Sequence, residues 1–304
     1  MKGWLKVSGL VLLTMCMGAC TGNGEGDPLP ADSLAALVQQ LGLPIQKDSL
    51  IACAASGQHG FLQEDSGLPV SVIYLPVANS GETWYYESAG PVTDKTDLSQ
   101  YQRQSLQTRP LLNGFLRKLV HPGRPVETVG IVATVSNGKL FLSNEINIKS
   151  ADQPTAFNTG DISVDLSSPL MPSFQWPVSP VGEDAIYFHV VSDPQNNLVS
   201  GTYSFDRNFR FYDLSNVVLN INDKNPPPVL NAGGMYTFSV MAVSPDNWVN
   251  AFWSKGFEAE CWDHPGHRMG YQFRRFIMVT PPPRRGLYRI LFMNFPVLAT
   301  PSLP

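Results

Sequence analysis

The sequence contains few charged residues and none of the short motifs that mark common catalytic sites. Asp, Glu, Lys and Arg make up 15% of the 304 residues, and the formal net charge is −4. A chain with 43% hydrophobic residues can build a folded core, and it lacks the basic excess of nucleic-acid-binding proteins. It has no phosphate-binding glycine loop, dinucleotide fingerprint, nucleophile elbow or zinc-type cysteine pair. We therefore expect no enzyme activity, no cofactor and no metal.

Long hydrophobic runs are also missing. A membrane-spanning helix needs about 20 apolar residues, and the apolar stretches Val7–Met17 and Leu287–Leu298 are both shorter. The first of them follows a segment that contains Lys2 and Lys6 but no acidic residue. A basic start followed by a short apolar run is typical of an export signal rather than of a membrane span.

The apolar run ends in a group of small residues before a cysteine, Met17-Gly18-Ala19-Cys20. This pattern resembles the lipobox of bacterial lipoproteins, although that family usually has Leu where Met17 stands. The resemblance implies that a diacylglycerol is attached to the thiol of Cys20 and that the signal is cut just before it. The alternative is an ordinary secretory signal with a chance cysteine. We expect residues 1–19 to be removed and Cys20 to be lipidated.

The segment after the lipidated cysteine predicts a flexible tether. Residues 20–30 are rich in glycine and polar side chains and have no apolar face to bury. Thr21 stands where Asp is associated with inner-membrane retention in enterobacterial lipoproteins, so the resemblance favours the outer membrane. The sequence leaves open whether the protein faces the periplasm or the exterior.

Few cysteines remain once the signal is removed and Cys20 carries a lipid. Cys53 and Cys261 are the two that are left, and the envelope can be oxidising enough for them to pair. Cys53 lies in a run of small apolar residues, while Cys261 lies in a segment of different composition. We therefore expect Cys53 to be a buried free thiol that acts as a small hydrophobic side chain.

Residues 31–160 begin with a helical pattern. Apolar side chains recur at helical spacing within 31–43, where Asp32 or Ser33 can cap the start and Gly42 and Pro44 end the helix. The apolar positions are Leu34, Leu37, Val38 and Leu41.

The following residues change to an alternating pattern that predicts strands. Strand character runs over Pro69–Leu75 and Thr83–Glu87. Two more strands, Val126–Val135 and Lys139–Lys149, flank a Ser-Asn-Gly sequence, and Asn-Gly favours a tight hairpin turn. The residues expected to point inward are Leu140, Leu142 and Ile146. Residues 31–160 are thus predicted to form a β-sandwich with a short leading helix.

Two aromatic residues of this module are candidate ligand-binding groups. Trp84 and Tyr86 share one face of a strand, with Tyr85 on the other. A pair of exposed rings could stack against a sugar. The competing interpretation is ordinary packing in a core or on a sheet surface, which is the commoner role of strand aromatics.

Residues 161–260 carry a second β pattern. Phe174-Gln175-Trp176 precedes the apolar strand at 186–191, and a Gly-Gly turn at 233–234 leads into the alternating strand 237–244. This pattern resembles a fibronectin type III domain. In that family a Trp of the second strand lies in the core. A Leu, a Gly turn and a Tyr then begin the sixth strand. The matching positions are Trp176, Leu230, Gly234, Tyr236, Phe238, Val240 and Ala242. The resemblance implies a sandwich whose corner tyrosine anchors the preceding turn, and it implies no activity.

The composition changes after Glu260. Up to that residue, nine lysines and six arginines face 24 acidic residues, a net charge of −9. Residues 261–304 contain six arginines, no lysine and Asp263 alone, a net charge of +5. We predict that 261–304 is a basic, disordered tail that belongs to neither fold, with a membrane-facing role for its arginines as the alternative.

The five histidines show no convincing ligand pattern. His264 and His267 are three residues apart in the tail and lack a third ligand. His59 and His121 lie next to glycine or proline in predicted loops, and His189 alternates with Phe188 and Val190 on a predicted sheet face. We expect structural or solvated roles for them.

The sequence as a whole predicts an all-β protein of two tandem β-sandwich domains, of the immunoglobulin or fibronectin type III kind. We expect a lipid-anchored envelope protein with a non-catalytic binding or scaffolding role, whose partner is a protein or a glycan. One alternative is a carbohydrate-binding accessory lipoprotein that uses exposed aromatic residues. A second alternative is an enzyme whose site forms between the modules, which would require a deep cleft with convergent polar groups.

Overall fold

The protein is all-β, as the sequence predicts. The computed structural model describes residues 30–57, 70–121, 127–149, 152–158, 160–168, 170–213, 215, 217–220 and 227–259. Those residues form a single α-helix, α1 (Leu34–Leu41), and 19 strands. The strands are β1 (Ile45–Leu50), β2 (Ala52–Ser56), β3 (Val70–Tyr74), β4 (Thr83–Ser88), β5 (Tyr101–Gln104), β6 (Gln107–Leu111), β7 (Leu116–His121), β8 (Thr128–Ser136), β9 (Lys139–Ser143), β10 (Ile146–Ile148), β11 (Ala156–Phe157), β12 (Ser163–Asp165), β13 (Ser173–Gln175), β14 (Ile186–Ser192), β15 (Leu198–Ser204), β16 (Asn208–Arg210), β17 (Val217–Asn220), β18 (Met235–Val243) and β19 (Val249–Glu258).

The strands form four sheets. Sheet I has the order β1-β9-β8-β4-β5, with β10 also paired to β8, and sheet II has the order β2-β3-β7-β6. Sheet III has the order β11-β19-β18-β14-β15-β17, and sheet IV is the three-stranded β12-β13-β16. Most pairs are antiparallel, but β1 runs parallel to β9 and β11 runs parallel to β19.

Helix α1 covers the outer face of sheet I. The Ser33 hydroxyl accepts a hydrogen bond from the Ala36 amide (3.1 Å), and Gly42 ends the helix in the left-handed conformation (φ 58°). Ser33 is therefore the cap, and the predicted helix is confirmed. Leu34 of the helix packs on Tyr86 and Ile131 of the sheet.

The opposite face of sheet I packs on sheet II. Tyr85 and Val132 from sheet I meet Val72 and Leu119 from sheet II, and all four side chains are buried. A core between two packed sheets follows from strand alternation, because neighbouring residues of one strand point to opposite faces. Tyr85 accordingly faces sheet II, while Tyr86 faces the helix.

Strands β2 and β3 of sheet II are covered on both faces, because the other face of the sheet packs on sheet III. Ile73 and Leu116 of sheet II contact a group of side chains from sheet III that includes Phe188, Met241 and Phe252. The burial on both sides explains why all five residues of β3 are buried. A strand covered on both faces needs apolar or small residues at successive positions rather than strict alternation.

The last interface joins sheet III to sheet IV through an aromatic core. Phe174 and Phe238 stack with ring centroids 4.0 Å apart, and Phe209 and Trp253 are buried beside them. The described chain is thus a series of layers in the order helix, sheet I, sheet II, sheet III and sheet IV.

The predicted hairpin turn is confirmed. Ser136 pairs with Lys139 across the turn, and Asn137 and Gly138 both have positive φ (48° and 71°). Positive φ at both central residues is the requirement of the tight turn that Asn-Gly favours. The inward-facing assignment also holds, because Leu140, Leu142 and Ile146 are buried.

The turn before β18 has the expected tyrosine anchor. The Tyr236 hydroxyl accepts a hydrogen bond from the Asn231 amide (2.9 Å). A Cβ atom on Gly234 would lie 2.8 Å from the Asn231 carbonyl oxygen and 2.9 Å from the Tyr236 ring, so the turn requires glycine there. The other positions predicted for this core are buried as well: Trp176, Leu230, Phe238, Val240 and Ala242.

Candidate functional site

Two predictions concern residues outside the described part of the chain. Cys20, with the predicted export signal and nearly all of the predicted tether, precedes Pro30, the first described residue. The basic tail, residues 261–304, follows Ala259, the last one. Lipidation and the independence of the tail therefore remain predictions. Among the described residues, no helix is long and apolar enough to cross a membrane.

The aromatic pair Trp84 and Tyr86 is not an exposed platform. The two rings share the α1-facing side of β4, as alternation predicts, but Tyr86 is only 2% exposed. Helix α1 covers that part of the sheet, so Tyr86 belongs to the core. Tyr86 therefore fits the competing interpretation of core packing rather than an exposed pair of stacking rings, because the leading helix packs over the strand. Trp84, which lies nearer the margin of this core, is partly buried.

Trp84 keeps some features of a ligand-binding residue. The guanidinium carbon of Arg103 lies 5.9 Å from its ring centroid, and the Arg103 Nη2 atom is 2.8 Å from Glu82 Oε1. An aromatic ring beside a guanidinium and a carboxylate offers a stacking surface and hydrogen-bonding groups. This cluster is at the protein surface, because the Arg103 and Glu82 side chains are 47% and 66% exposed.

A buried carboxylate lies between sheets I and II. Glu87 of β4 is 5% exposed, and its Oε1 atom accepts a hydrogen bond from the Thr128 hydroxyl (2.5 Å). His121, the last residue of β7, places Nε2 3.5 Å from Glu87 Oε2, which is too long for a good hydrogen bond. Burial, together with the nearby Glu87 carboxylate, raises the pKa of the Tyr85 hydroxyl well above its usual value.

Only a weak signal for this cluster is present in the sequence. Glu87 stands in a strand of aromatic and polar residues, and His121 was expected in a loop. Their proximity depends on the packing of two sheets from separate parts of the chain, which residue spacing does not encode. The arrangement links the two sheets, because Glu87 and Thr128 belong to sheet I and His121 belongs to sheet II.

The second buried titratable residue is His189 of β14. It is 1% exposed, and its ring packs on Trp176, Phe209 and Phe238 in the core between sheets III and IV. Its Nδ1 atom lies 2.9 Å from the hydroxyl of Thr202 on the neighbouring strand. Burial lowers the pKa of His189 to about 3, so the ring is neutral at physiological pH. The expected position of His189 on a sheet face is confirmed. That face of sheet III is covered by sheet IV.

A polar cleft of about 260 Å³ lies where the C-terminal sheets meet the end of β10. Its lining includes Lys149, whose Nζ atom is 2.5 Å from Asp246 Oδ2. Burial opposes the charge on Asp246, but hydrogen bonds from Lys149 and Ser244 outweigh it and hold its pKa below the usual value. On the far wall, the Gln153 amide donates to Asn250 Oδ1 (2.9 Å). The polar groups of this cleft bond mainly to one another.

A larger opening of about 530 Å³ lies beside β19, at the edge of sheet III. Lys255 Nζ is 3.0 Å from both carboxylate oxygens of Asp161 there, and the Asn158 side-chain oxygen accepts from the Ser254 amide (3.1 Å). The lysine and aspartate side chains are 41% and 80% exposed, so this pair is a surface feature.

The described residues include one free cysteine, Cys53. Within those ranges, no group of three or more His, Cys, Asp or Glu side chains could hold a metal ion. Cys53 forms no disulfide there and packs beside the core between sheets II and III. Burial raises the pKa of the Cys53 thiol to about 12, so the reactive thiolate is scarce.

Comparison with known proteins does not identify a family. No family model matches the chain, and no curated protein matches it. Any function must therefore be argued from the sequence signals and from the geometry described above.

Proposed function

We propose that the chain is a lipid-anchored protein of the cell envelope, located at the outer membrane, with a non-catalytic binding or scaffolding role. The observation that carries the proposal is the order of the N-terminal features. A short basic and apolar segment ends at Cys20, a polar tether follows, and the folded layers begin with α1 at Leu34.

The dimensions of the chain suit a protein held close to a membrane surface. Residues 21–30 can span at most about 35 Å when fully extended. Packed sheets are about 10 Å apart, so sheet IV lies roughly 30 Å from sheet I. An anchored stack of this kind would hold its far sheets away from the lipid while the tether lets the whole body reorient.

We further propose that the layers correspond to two tandem β-sandwiches, residues 31–160 and residues 161–260, the second of the fibronectin type III kind. The packing of sheet IV against sheet III supports this proposal, since β13 and β16 pack over β14 and β18. The Tyr236 hydroxyl bond to the turn before its strand is a second supporting feature. Such domains serve many roles, so the fold alone does not identify the partner.

The anchor is tested by replacing the cysteine that would carry it. Cys20→Ala should abolish labelling by a fatty-acid probe and move the protein from the membrane to the soluble envelope fraction. Cys53→Ala is the matched control, because its thiol lies in the folded part, and this variant should label and fractionate as the wild type does. Unchanged membrane association of Cys20→Ala would overturn the proposal.

A carbohydrate-binding role is the second candidate, and the partly exposed Trp84 beside Arg103 and Glu82 favours it. A glycan array probed with the mature protein tests it. Binding that disappears in Trp84→Ala but persists in Phe205→Ala, a change at another exposed aromatic residue, would support this candidate. Binding that both variants retain would place the sugar elsewhere, and no binding at all would count against it.

A further inference from the structure

The turn between β18 and β19 extends from one sandwich into the other. Residues 244–248 connect two strands of sheet III. Trp248, at the end of this turn, is completely buried, and its side chain packs in the core between sheets I and II, beside residues such as Val72 and Ile146. The C-terminal half of the chain therefore supplies a large side chain to the core of the N-terminal half.

The backbone of the same turn pairs with two strands of the N-terminal half. The Ala54 amide of β2 donates to the Asn247 carbonyl (3.0 Å), and Ala54 and Trp248 form a parallel bridge. The Asn147 amide of β10 donates to the Asp246 carbonyl (3.0 Å). The turn thus occupies edge positions beside β2 and β10, where a strand of the N-terminal half would otherwise be needed.

Side-chain bonds add to this connection. The Trp248 indole donates from Nε1 to the Gln153 carbonyl (2.9 Å), and the Asn247 side-chain amide donates to the Glu145 carbonyl (2.9 Å). Asp246 accepts from the Asn147 side-chain amide (3.1 Å) and forms the ion pair with Lys149. Every one of these partners lies before residue 161, so each bond joins the two halves of the chain.

We propose that residues 244–248 are a latch that makes the folding of the N-terminal sandwich depend on the C-terminal one. Without the latch, the core between sheets I and II would lose a buried indole, and the edges of β2 and β10 would lose backbone partners. The latch also holds the apolar faces of sheets II and III in contact with each other. The two sandwiches then move as one rigid body.

The experiment follows hydrogen exchange by mass spectrometry on the full mature chain at increasing urea concentrations. Peptides from β3 and β8 report the N-terminal core, and peptides from β14 and β18 report the C-terminal core. Trp248→Phe keeps an aromatic ring but removes the indole donor, and Asp246→Asn removes only the charge. The matched control is Asp161→Asn, which loses the Lys255 ion pair within the C-terminal half.

The latch predicts that both sets of peptides in the wild-type chain lose protection at the same urea concentration. Trp248→Phe should reduce protection of the β3 and β8 peptides roughly tenfold, and Asp246→Asn should reduce it by a smaller factor. Asp161→Asn should leave those peptides unchanged. The proposal is overturned if Trp248→Phe and Asp246→Asn affect only the β14 and β18 peptides or neither set. It is also overturned if the two halves of the wild-type chain lose protection separately.

Discussion

His189 shows how burial changes the chemistry of a single residue. Its ring is enclosed by aromatic side chains, and burial lowers its pKa from 6.5 to about 3. The unfolded chain therefore binds more protons than the folded chain between these two pH values. The free energy of unfolding should fall as the pH decreases from 6.5 towards 3, with a His189 contribution of up to about 1.4 kcal/mol per pH unit.

Urea unfolding at pH 7, 6, 5 and 4 measures this dependence. His189→Leu removes the titrating ring and should show a shallower loss of stability over that range, although its stability at pH 7 is also expected to be lower because Thr202 loses its partner. Equal slopes for the two chains would mean that His189 is accessible to protons in the folded state.

Cys53 provides a second test at the same scale. Its side chain is partly buried and the pKa of its thiol is raised to about 12, so a thiol reagent should modify it slowly in the folded chain and rapidly in urea. The measurement uses a chain in which Cys16, Cys20 and Cys261 are serine, which leaves Cys53 as the one cysteine. Rapid labelling of the native form would show that the space between sheets II and III opens readily.

Trp176 is the third residue whose role can be measured. It follows β13 and is 2% exposed among Tyr187, His189 and Phe238. Trp176→Ala should lower the free energy of unfolding by about 3–5 kcal/mol, because a large cavity would remain in the core. Thermal or urea melts measure the change, and a shift within error would mean that the indole does not support the core.

The corner before β18 shows how an element depends on the size of one residue. Gly234→Ala would place a Cβ atom 2.8 Å from the Asn231 carbonyl oxygen, so the turn must shift. Tyr236→Phe removes the hydroxyl and should cost about 0.5–1.5 kcal/mol of stability. Gly90→Ala is the matched control, since a Cβ atom there meets nothing within 4 Å. Melts of the three variants should show losses in the first two and little change in the control.

Individual elements differed in how well the sequence predicted them. Helix α1 and the Asn137-Gly138 hairpin were predicted because caps and turns are local, and each is set by two or three neighbouring residues. The short strands β11 and β12 and the parallel pairing of β1 with β9 were not predicted. The two parallel pairs, β1 with β9 and β11 with β19, join distant segments, and a strand of two or three residues carries too little pattern to be recognised.

The candidate sites were predicted less well than the elements. Trp84 and Tyr86 were placed on one face correctly, but alternation does not say which face a helix will cover. Glu87, His121 and Asp246 became notable only through contacts between sheets. Such contacts depend on the stacking order of the layers, which no local pattern in the sequence contains.

At the scale of the whole molecule, the basic tail after Glu260 can be removed as a test. We predict that residues 261–304 contribute no core side chain, so truncation after Glu260 should leave the melting temperature unchanged within error. Loss of apolar stretches such as Leu291-Phe292-Met293 should also improve solubility. A clear drop in melting temperature would show that the tail packs on the layers, and Cys261 and Trp262 would then belong to the fold.

We propose that the layered β structure is attached to a membrane through Cys20. The most direct measurement is mass spectrometry of the N-terminal peptide of the protein recovered from the membrane fraction of the native host. Our account predicts a peptide that begins at Cys20 and carries the mass of a diacylglycerol. A peptide that begins at Met1, or one that contains Cys20 as a free thiol, would contradict it.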